Sequence, residues 1–471
     1  MLFNTIDFVF FLPIVIIGYF LLKPKYRWVL LLAASYYFYM SWKLEYVVLI
    51  MFSTLIDYYC GLQMGKRESQ RTKRPFLLLS LITNLGLLFG FKYLNFFTSS
   101  ANEIFTNFDF SVHIPAFDYL LPVGISFYTF QTLSYSIDVY LNKQKPERHL
   151  GYFALYVSFF PQLVAGPIER FSRLTPQLRK TYSFNYDNLR NGLRLVLFGL
   201  FAKMVVADNL APIVDEVYKS PEIYNSFSIA SAMVFYSFQI YCDFFGYSLI
   251  AIGSALIMGV RLMDNFKTPY LATSIADFWQ RWHISLSTWF RDYLYFPLGG
   301  NRMKWWRWAL NILVVFILSG FWHGANVTFL LWGLIFATFY LIENALSKFF
   351  NIDKTVRKFS AKRILLVLKT FVIVTFAWVF FRSVSITEAM NLITSLFNNV
   401  NLVGEPLNIT SVVWIIFALF LVADVFLFDQ RFDHWIGRQR LMFRWTTYSI
   451  VLFAIIVYAG VEDYPFIYFQ F

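Results

Sequence analysis

WALNILVVFILSGFWHGANVTFLLWGLIFATFYLIENAL, residues 308–346, is two strongly apolar runs, Trp308 to Phe321 and Val327 to Leu346, joined through Phe321-Trp-His-Gly-Ala-Asn326. A helix needs about 20 apolar residues, with roughly 17 to 25 tolerated, to cross the hydrocarbon of a bilayer. The stretch therefore predicts two consecutive spans, 308–325 and 326–346, with a histidine in the hairpin between them. An ionisable side chain at membrane depth is costly and marks a functional position by default. Histidine is also the side chain best matched to moving a proton near neutral pH. His323 is accordingly the first candidate for chemistry. Its position equally fits a structural histidine bonded to a backbone carbonyl between packed helices.

Composition extends this reading to the whole chain. Of 471 residues, 58% are hydrophobic and only 14% charged, with a mean hydropathy of +0.55. A soluble protein of that length needs far more polar surface, so the sequence predicts an all-α polytopic membrane protein. Fifty-seven Phe, 30 Tyr and 14 Trp suit bilayer interfaces and helix contacts. The formal charge of +12 sits between apolar segments and reads as topology signal and headgroup contact, with no nucleic-acid partner implied. Cys60 and Cys242 both lie in apolar segments, which leaves no disulfide framework or cysteine metal site. No basic region precedes Ile6, while Lys23, Lys25 and Arg27 follow the first apolar run. This pattern predicts an uncleaved first helix with its N-terminus outside.

Spans are expected near 5–22, 27–42, 44–64, 76–98, 119–142, 190–207, 228–258, 308–325, 326–346, 364–382, 411–428 and 445–461. Basic residues crowd four connections: Lys66 to Arg74, Lys143 to Arg148, Lys348 to Arg363 (including Lys354, Arg357 and Lys358) and Arg431 to Arg444. Neither Ser99 to Asp118 nor Ser383 to Gln430 contains a single Lys or Arg. The positive-inside rule makes the basic connections cytoplasmic and these two segments external, in about twelve crossings. Leu150 to Pro167 is apolar with basic flanks, so it is expected to dip in and return, broken by Phe160-Pro-Gln-Leu-Val-Ala-Gly-Pro167. Between Gly259 and Trp306, the positions Phe278, Trp282, Leu286, Trp289 and Tyr293 form one apolar helical face. His283, Arg281, Arg291 and Asp292 fall off that face, as in a helix at the cytoplasmic interface or under the bundle. No internal repeat or soluble domain is evident, and the chain reads as one membrane domain over 1–471.

His113, His149 and His434 fall in connections, where solvated roles are the default. His283 and His323 sit in aromatic, helix-compatible settings. No His-x-x-x-His or Glu-x-x-His pairing offers zinc or di-iron spacing. Neither a Gly-x-Ser-x-Gly elbow nor a phosphate-binding Gly-x-x-x-x-Gly-Lys-Ser/Thr loop occurs. What remains is a histidine able to activate a hydroxyl or thioester inside a bilayer, which is acyl-transfer chemistry. Gln239, Tyr241 and Asp243 share one long apolar run as channel-lining candidates, and helix–helix contact is their rival role. Asp57, Lys92, Asp138 and Lys203 read as packing or snorkelling charges within spans.

The run Asp277-Phe-Trp-Gln-Arg-Trp-His283-Ile-Ser-Leu-Ser-Thr-Trp-Phe-Arg291-Asp292-Tyr-Leu-Tyr-Phe-Pro-Leu-Gly-Gly-Asn-Arg302, followed by Phe-Trp-His323-Gly-Ala-Asn, closely resembles the membrane-bound O-acyltransferases, in particular the bacterial alginate O-acetyltransferase type. Supporting pieces are residues 121–131, 162–170 and 258–266. Gln280 stands where the family often has Arg, and Phe245 where a Ser is common before Gly246. The resemblance implies a ring of about 11–13 transmembrane helices, with re-entrant and interfacial helices, around a thin catalytic centre. It implies a core over about 120–382, with further helices over 411–461. It implies that His323 is the catalytic histidine and His283 a second one nearer the cytoplasm. Arg281, Trp282, Arg291, Asp292, Arg302 and Asn326 would bind or support a phosphate-bearing donor, acetyl-CoA, with no bound cofactor or metal. The acetyl group would pass to an exported or cell-wall polysaccharide, through an extracytoplasmic transferase of the SGNH/GDSL type, at the bacterial cytoplasmic membrane. D-alanyl transfer to teichoic acid is a second enzymatic reading. A proton-coupled transporter using Asp138, Asp243 and His323, or a non-catalytic export scaffold, comes from another class; paired broken helices in inverted repeats would mark transport, and none is found.

Overall fold

The computed structural model describes residues 1–110, 113–117, 121–164, 166–350, 360–399, 406–459 and 464–469. Lys354, Arg357 and Lys358 of the third basic connection, and Ala165 of the proline-containing break, lie outside the described residues. Described residues are 77% helical with no strand. Among them, eight helices are long and apolar enough to cross a membrane: Tyr46–Gly65, Gln70–Asn107, Tyr186–Lys219, Ser226–Ile257, Trp305–His323, Val327–Phe349, Ala361–Arg382 and Leu441–Tyr458. Ile6–Leu21 and Ser411–Phe426 are apolar but shorter. The other two of the twelve expected spans, 27–42 and 119–142, fall on short helices. Arg27–Met40 has only 14 residues, about 21 Å at 1.5 Å per residue. Ile125–Tyr140 is short and hydroxyl-rich, and it buries most of both faces against protein.

The chain divides into two compact units, Met1–Leu193 with Ala251–Met263, and Arg194–Ile250 with Asp264–Phe471. In the first, the core holds a carboxylate. Asp57 accepts hydrogen bonds from Ser80 Oγ at 2.5 Å and Asn84 Nδ2 at 2.9 Å, with Ser136 Oγ at 3.4 Å. Three helices are pinned together by that cluster, since a buried carboxylate without donors is strongly disfavoured. Leu150–Ser158 stops at Phe159, and a short turn, Phe160–Leu163, carries Pro161 where its missing N–H costs nothing. The predicted break is therefore present, and the residues around it are buried.

In the second unit, the hairpin Trp305–His323 and Val327–Phe349 packs backbone to backbone. A Cβ on Gly320 would lie 2.1 Å from the Phe329 carbonyl oxygen, and one on Gly333 would lie 2.3 Å from that of Phe316. Only glycine permits this approach. The predicted continuous amphipathic helix over Asp277 to Tyr295 is not formed. Ile275–Arg281 and Ile284–Phe290 are separate helices, followed by a π-helical turn, Arg291–Tyr295. Phe278, Trp282, Leu286 and Trp289 do face one way, into the protein core.

Candidate active site

His323 is the last residue of its helix; Gly324 leaves in an extended conformation, and Asn326 starts the next helix. Asn326 Oδ1 accepts the Thr328 N–H at 3.1 Å, an N-cap that satisfies an otherwise orphaned donor. Its Nδ2 donates to the Val384 carbonyl at 2.6 Å. Asn326 thus shapes the hairpin that presents His323. The imidazole is 2% exposed and edge-on to three rings: Trp322, Phe381 and Trp332, at 4.9, 5.1 and 5.2 Å between centroids.

His283 occupies the break between its two helices with φ of +42°. A left-handed backbone at a non-glycine residue costs about 1–2 kcal/mol, so surrounding bonds must hold it. Asn265 does so: its carbonyl accepts the Ile284 N–H at 3.0 Å, and its Oδ1 accepts the Ser285 N–H at 3.2 Å and hydroxyl at 2.9 Å. The kink turns His283 inward. The sequence periodicity set it off the apolar face, yet it is 0% exposed, because the periodicity assumed a helix that the kink interrupts. Its ring meets Phe244 at 4.7 Å and His323 at 6.4 Å. Burial pushes its pKa down to about 3, so the imidazole is neutral at physiological pH.

A third element, not singled out by the sequence, completes the cluster. Tyr468 lies 5.5 Å from the His323 ring, 6.2 Å from His283 and 4.6 Å from Phe244. Burial holds its phenol well above the ordinary range, with the Asp243 charge adding to the effect. Phe466 packs on Tyr247 at 4.7 Å. The only local signal for these residues was aromatic richness, which is uninformative in a chain with 101 aromatic residues (57 Phe, 30 Tyr and 14 Trp).

The remaining predicted residues divide. Trp282 is buried in the same aromatic core, 5.0 Å from Trp378. Arg281 bridges Asp277 and Asp429, each at 2.7 Å. Arg291 is 54% exposed and pairs with Asp292 at 2.9 Å, while Arg302 is exposed. Tyr241 is fully buried and donates to Asp424 at 2.9 Å. Asp243 is buried and ion-paired with Lys203 at 2.8 Å. Gln239 is half-buried on the same helix. No group of three or more His, Cys, Asp or Glu side chains among the described residues converges as a metal site. An open pocket of about 530 Å³ in the first unit, lined by Gln177, Lys180, Tyr182, Asn188 and Arg261 among others, contains none of these residues.

Two buried imidazoles in an aromatic cage, one of them held neutral by burial, offer a base candidate in His323 and an orienting partner in His283, groups that general-base acyl transfer can use. Known proteins similar to this chain are named for acyl transfer. "Probable alginate O-acetylase AlgI" of Pseudomonas putida is 36% identical over 498 aligned positions, covering 100% of both chains. "Peptidoglycan O-acetyltransferase" of Helicobacter pylori is 36% identical, over 83% of this chain and 79% of its own. "Teichoic acid D-alanyltransferase" of Bacillus subtilis is more distant, 30% identical over 50% of this chain and 62% of its own. The sequence pattern of MBOAT, the membrane-bound O-acyltransferase family, matches residues 31–385. This chain, a multi-pass membrane protein and an acyltransferase, belongs to the membrane-bound O-acyltransferase family.

Proposed function

We propose that this acyltransferase moves acetyl groups from cytoplasmic acetyl-CoA to an exported or cell-wall polysaccharide at the bacterial cytoplasmic membrane. The observation that carries the proposal is His323 at the end of a spanning helix, sealed by aromatic rings and 6.4 Å from a second buried histidine. The neutral His323 imidazole takes the proton of an acceptor hydroxyl as its oxygen attacks the thioester carbonyl. Collapse of the tetrahedral intermediate breaks the C–S bond, and the imidazolium returns the proton to the leaving thiolate. His283, held neutral by burial, is positioned to orient the carbonyl or the acceptor. Arg291 and Arg302, both exposed, are the donor-side candidates for phosphate. An extracytoplasmic SGNH/GDSL-type transferase is the proposed onward carrier to the polymer.

Similarity over 83–100% of the chain to proteins named for alginate and peptidoglycan O-acetylation supports acetyl over D-alanyl transfer, for which the similarity covers half the chain. The test is ester analysis of surface polymers from cells with and without this protein. Loss of acetate esters, restored by the wild-type chain but not by His323→Gln, is the expected result. Loss of D-alanine esters instead would replace the reading with the teichoic acid one, and unchanged esters would remove both.

A further inference from the structure

Lys203 is a lysine inside a span, with its ammonium fully enclosed. It sits in a π-helical turn, Phe201–Ala207, within the helix Tyr186–Lys219. Such turns insert an extra residue and redirect side chains, and they recur at functional positions. Gly199 and Gly246 bring that helix against Ser226–Ile257: a Cβ on either would lie 2.6 Å from the other's carbonyl oxygen. The approach delivers Lys203 Nζ to Asp243 Oδ1 at 2.8 Å, with Asp208 Oδ1 on its other side at 2.6 Å.

Both members of the pair also hold backbone from one short segment. Lys203 Nζ donates to the Tyr464 carbonyl at 3.0 Å, and Asp243 Oδ2 accepts the Ile467 N–H at 2.6 Å. These are charge-assisted bonds in a dry interior, where they are stronger than in water. Between and beside the two anchors, Phe466 and Ile467 are buried, and Tyr468 lies against both site histidines.

We propose that Lys203 and Asp243 are positioning residues of the acyl-transfer site: their ion pair latches residues 464–468 across His283 and His323, and so closes the cage around the reacting thioester against water. Neither residue touches the histidines; they act through the segment they hold. With the latch released, water replaces the acceptor: its oxygen adds to the thioester carbonyl, the C–S bond breaks, and the products are acetate and the free thiol. The water-splitting arm of this inference rests on the acetyl-transfer reading, whereas the latch itself does not.

The test uses the full chain in proteoliposomes with Cys60 and Cys242 replaced by alanine and a reporter cysteine at Phe466→Cys. Two latch variants are compared. Lys203→Met with Asp243→Leu and Asp208→Asn removes all three charges together, which avoids stranding a buried charge. Ile467→Pro removes the N–H that Asp243 accepts and leaves the ion pair intact. Alkylation of the reporter by N-ethylmaleimide is expected to be slow with the latch intact and at least tenfold faster in either variant. The number of thioesters hydrolysed per acyl group transferred from acetyl-CoA is expected to rise at least tenfold in the same variants, with the apparent KM for donor little changed. Unchanged alkylation in Ile467→Pro overturns the latch, whatever the donor proves to be. Faster alkylation with an unchanged hydrolysis-to-transfer ratio overturns the sealing role. If the wild-type chain uses no acetyl-CoA, that failure belongs to the donor assignment, and alkylation alone decides the latch.

Discussion

The histidine cage and the arginine rim are built from neighbouring stretches of one chain, but physical conditions in them are opposite. In the cage, His283 and His323 are enclosed by tryptophan, phenylalanine and tyrosine rings. At the rim, Arg281 already bridges two carboxylates, and Arg291 lies half in solvent beside Asp292. A proton transfer in the cage feels little screening, whereas a charge at the rim is compensated by its partner and by water. Residues that the motif strings together are therefore unequal in what their loss should cost.

The largest effect is expected at His323. His323→Gln should insert and purify like the wild type and lose acyl transfer by about 10² to 10⁴, the usual contribution of a general base. Wild-type transfer rates in that variant would take the base out of the cage.

The next test reads the dryness of the cage through pH. His283 titrates near 6.5 when unfolded and near 3 when buried, so over that window the unfolded chain binds more protons than the folded one. Stability should therefore fall as pH drops from 6.5 towards 3, by about 1.4 kcal/mol per pH unit. Thermal melts in detergent at pH 7 and pH 5 measure this, and His283→Gln should flatten the difference. An equal slope in the variant would mean that the ring is hydrated.

Arg281→Ala comes third. It strands Asp277 and Asp429 and should lower the melting temperature by an amount corresponding to about 1–2 kcal/mol, with a smaller change in the apparent KM for donor. A large KM change at unaltered stability would move Arg281 from architecture to donor contact.

The smallest effect belongs to Arg291. Arg291→Ala should leave stability within about 0.5 kcal/mol and raise the apparent KM for acetyl-CoA by less than about tenfold, consistent with loss of one exposed charge-assisted contact of roughly 1 kcal/mol. Asp292→Asn sharpens the comparison, because it frees Arg291 and should lower that KM. If neither variant moves KM, the rim plays no part in donor binding.

Much of this was legible from hydropathy and motif. The hairpin around His323, the break near Pro161 and ten of the twelve expected spans have a matching apolar helix. The inward turn of His283 was not legible, because a left-handed residue is invisible to a periodicity that assumes one unbroken helix. The contribution of Tyr468 was hidden for another reason: it depends on a hydrogen bond from Ile467 to Asp243 across 224 residues. Lys203 read as a snorkelling charge because its two carboxylate partners meet it only after π-helical rerouting and a glycine contact.

Ser226–Ile257 and Leu441–Tyr458 have the same mean hydropathy, 1.6, but 94% of the first helix's apolar window is buried in protein and only 6% of the second's. Lipid tails are as apolar as leucine, so hydropathy can insert Ser226–Ile257 into a bilayer but cannot dock it there. Docking must come from close packing and from polar contacts such as Tyr241 with Asp424 and Ser237 with Thr375. The consequence is an order of events during biogenesis. Tyr186–Lys219, translated just before it, can meet this helix at once through Gly199 and Gly246, but its polar partners in Ala361–Arg382 and Ser411–Phe426 emerge only afterwards. Chains truncated at residue 300 should therefore insert it with normal topology and leave it sensitive to proteolysis and lipid-phase crosslinking, protection appearing only after Ala361–Arg382 and Ser411–Phe426 have emerged.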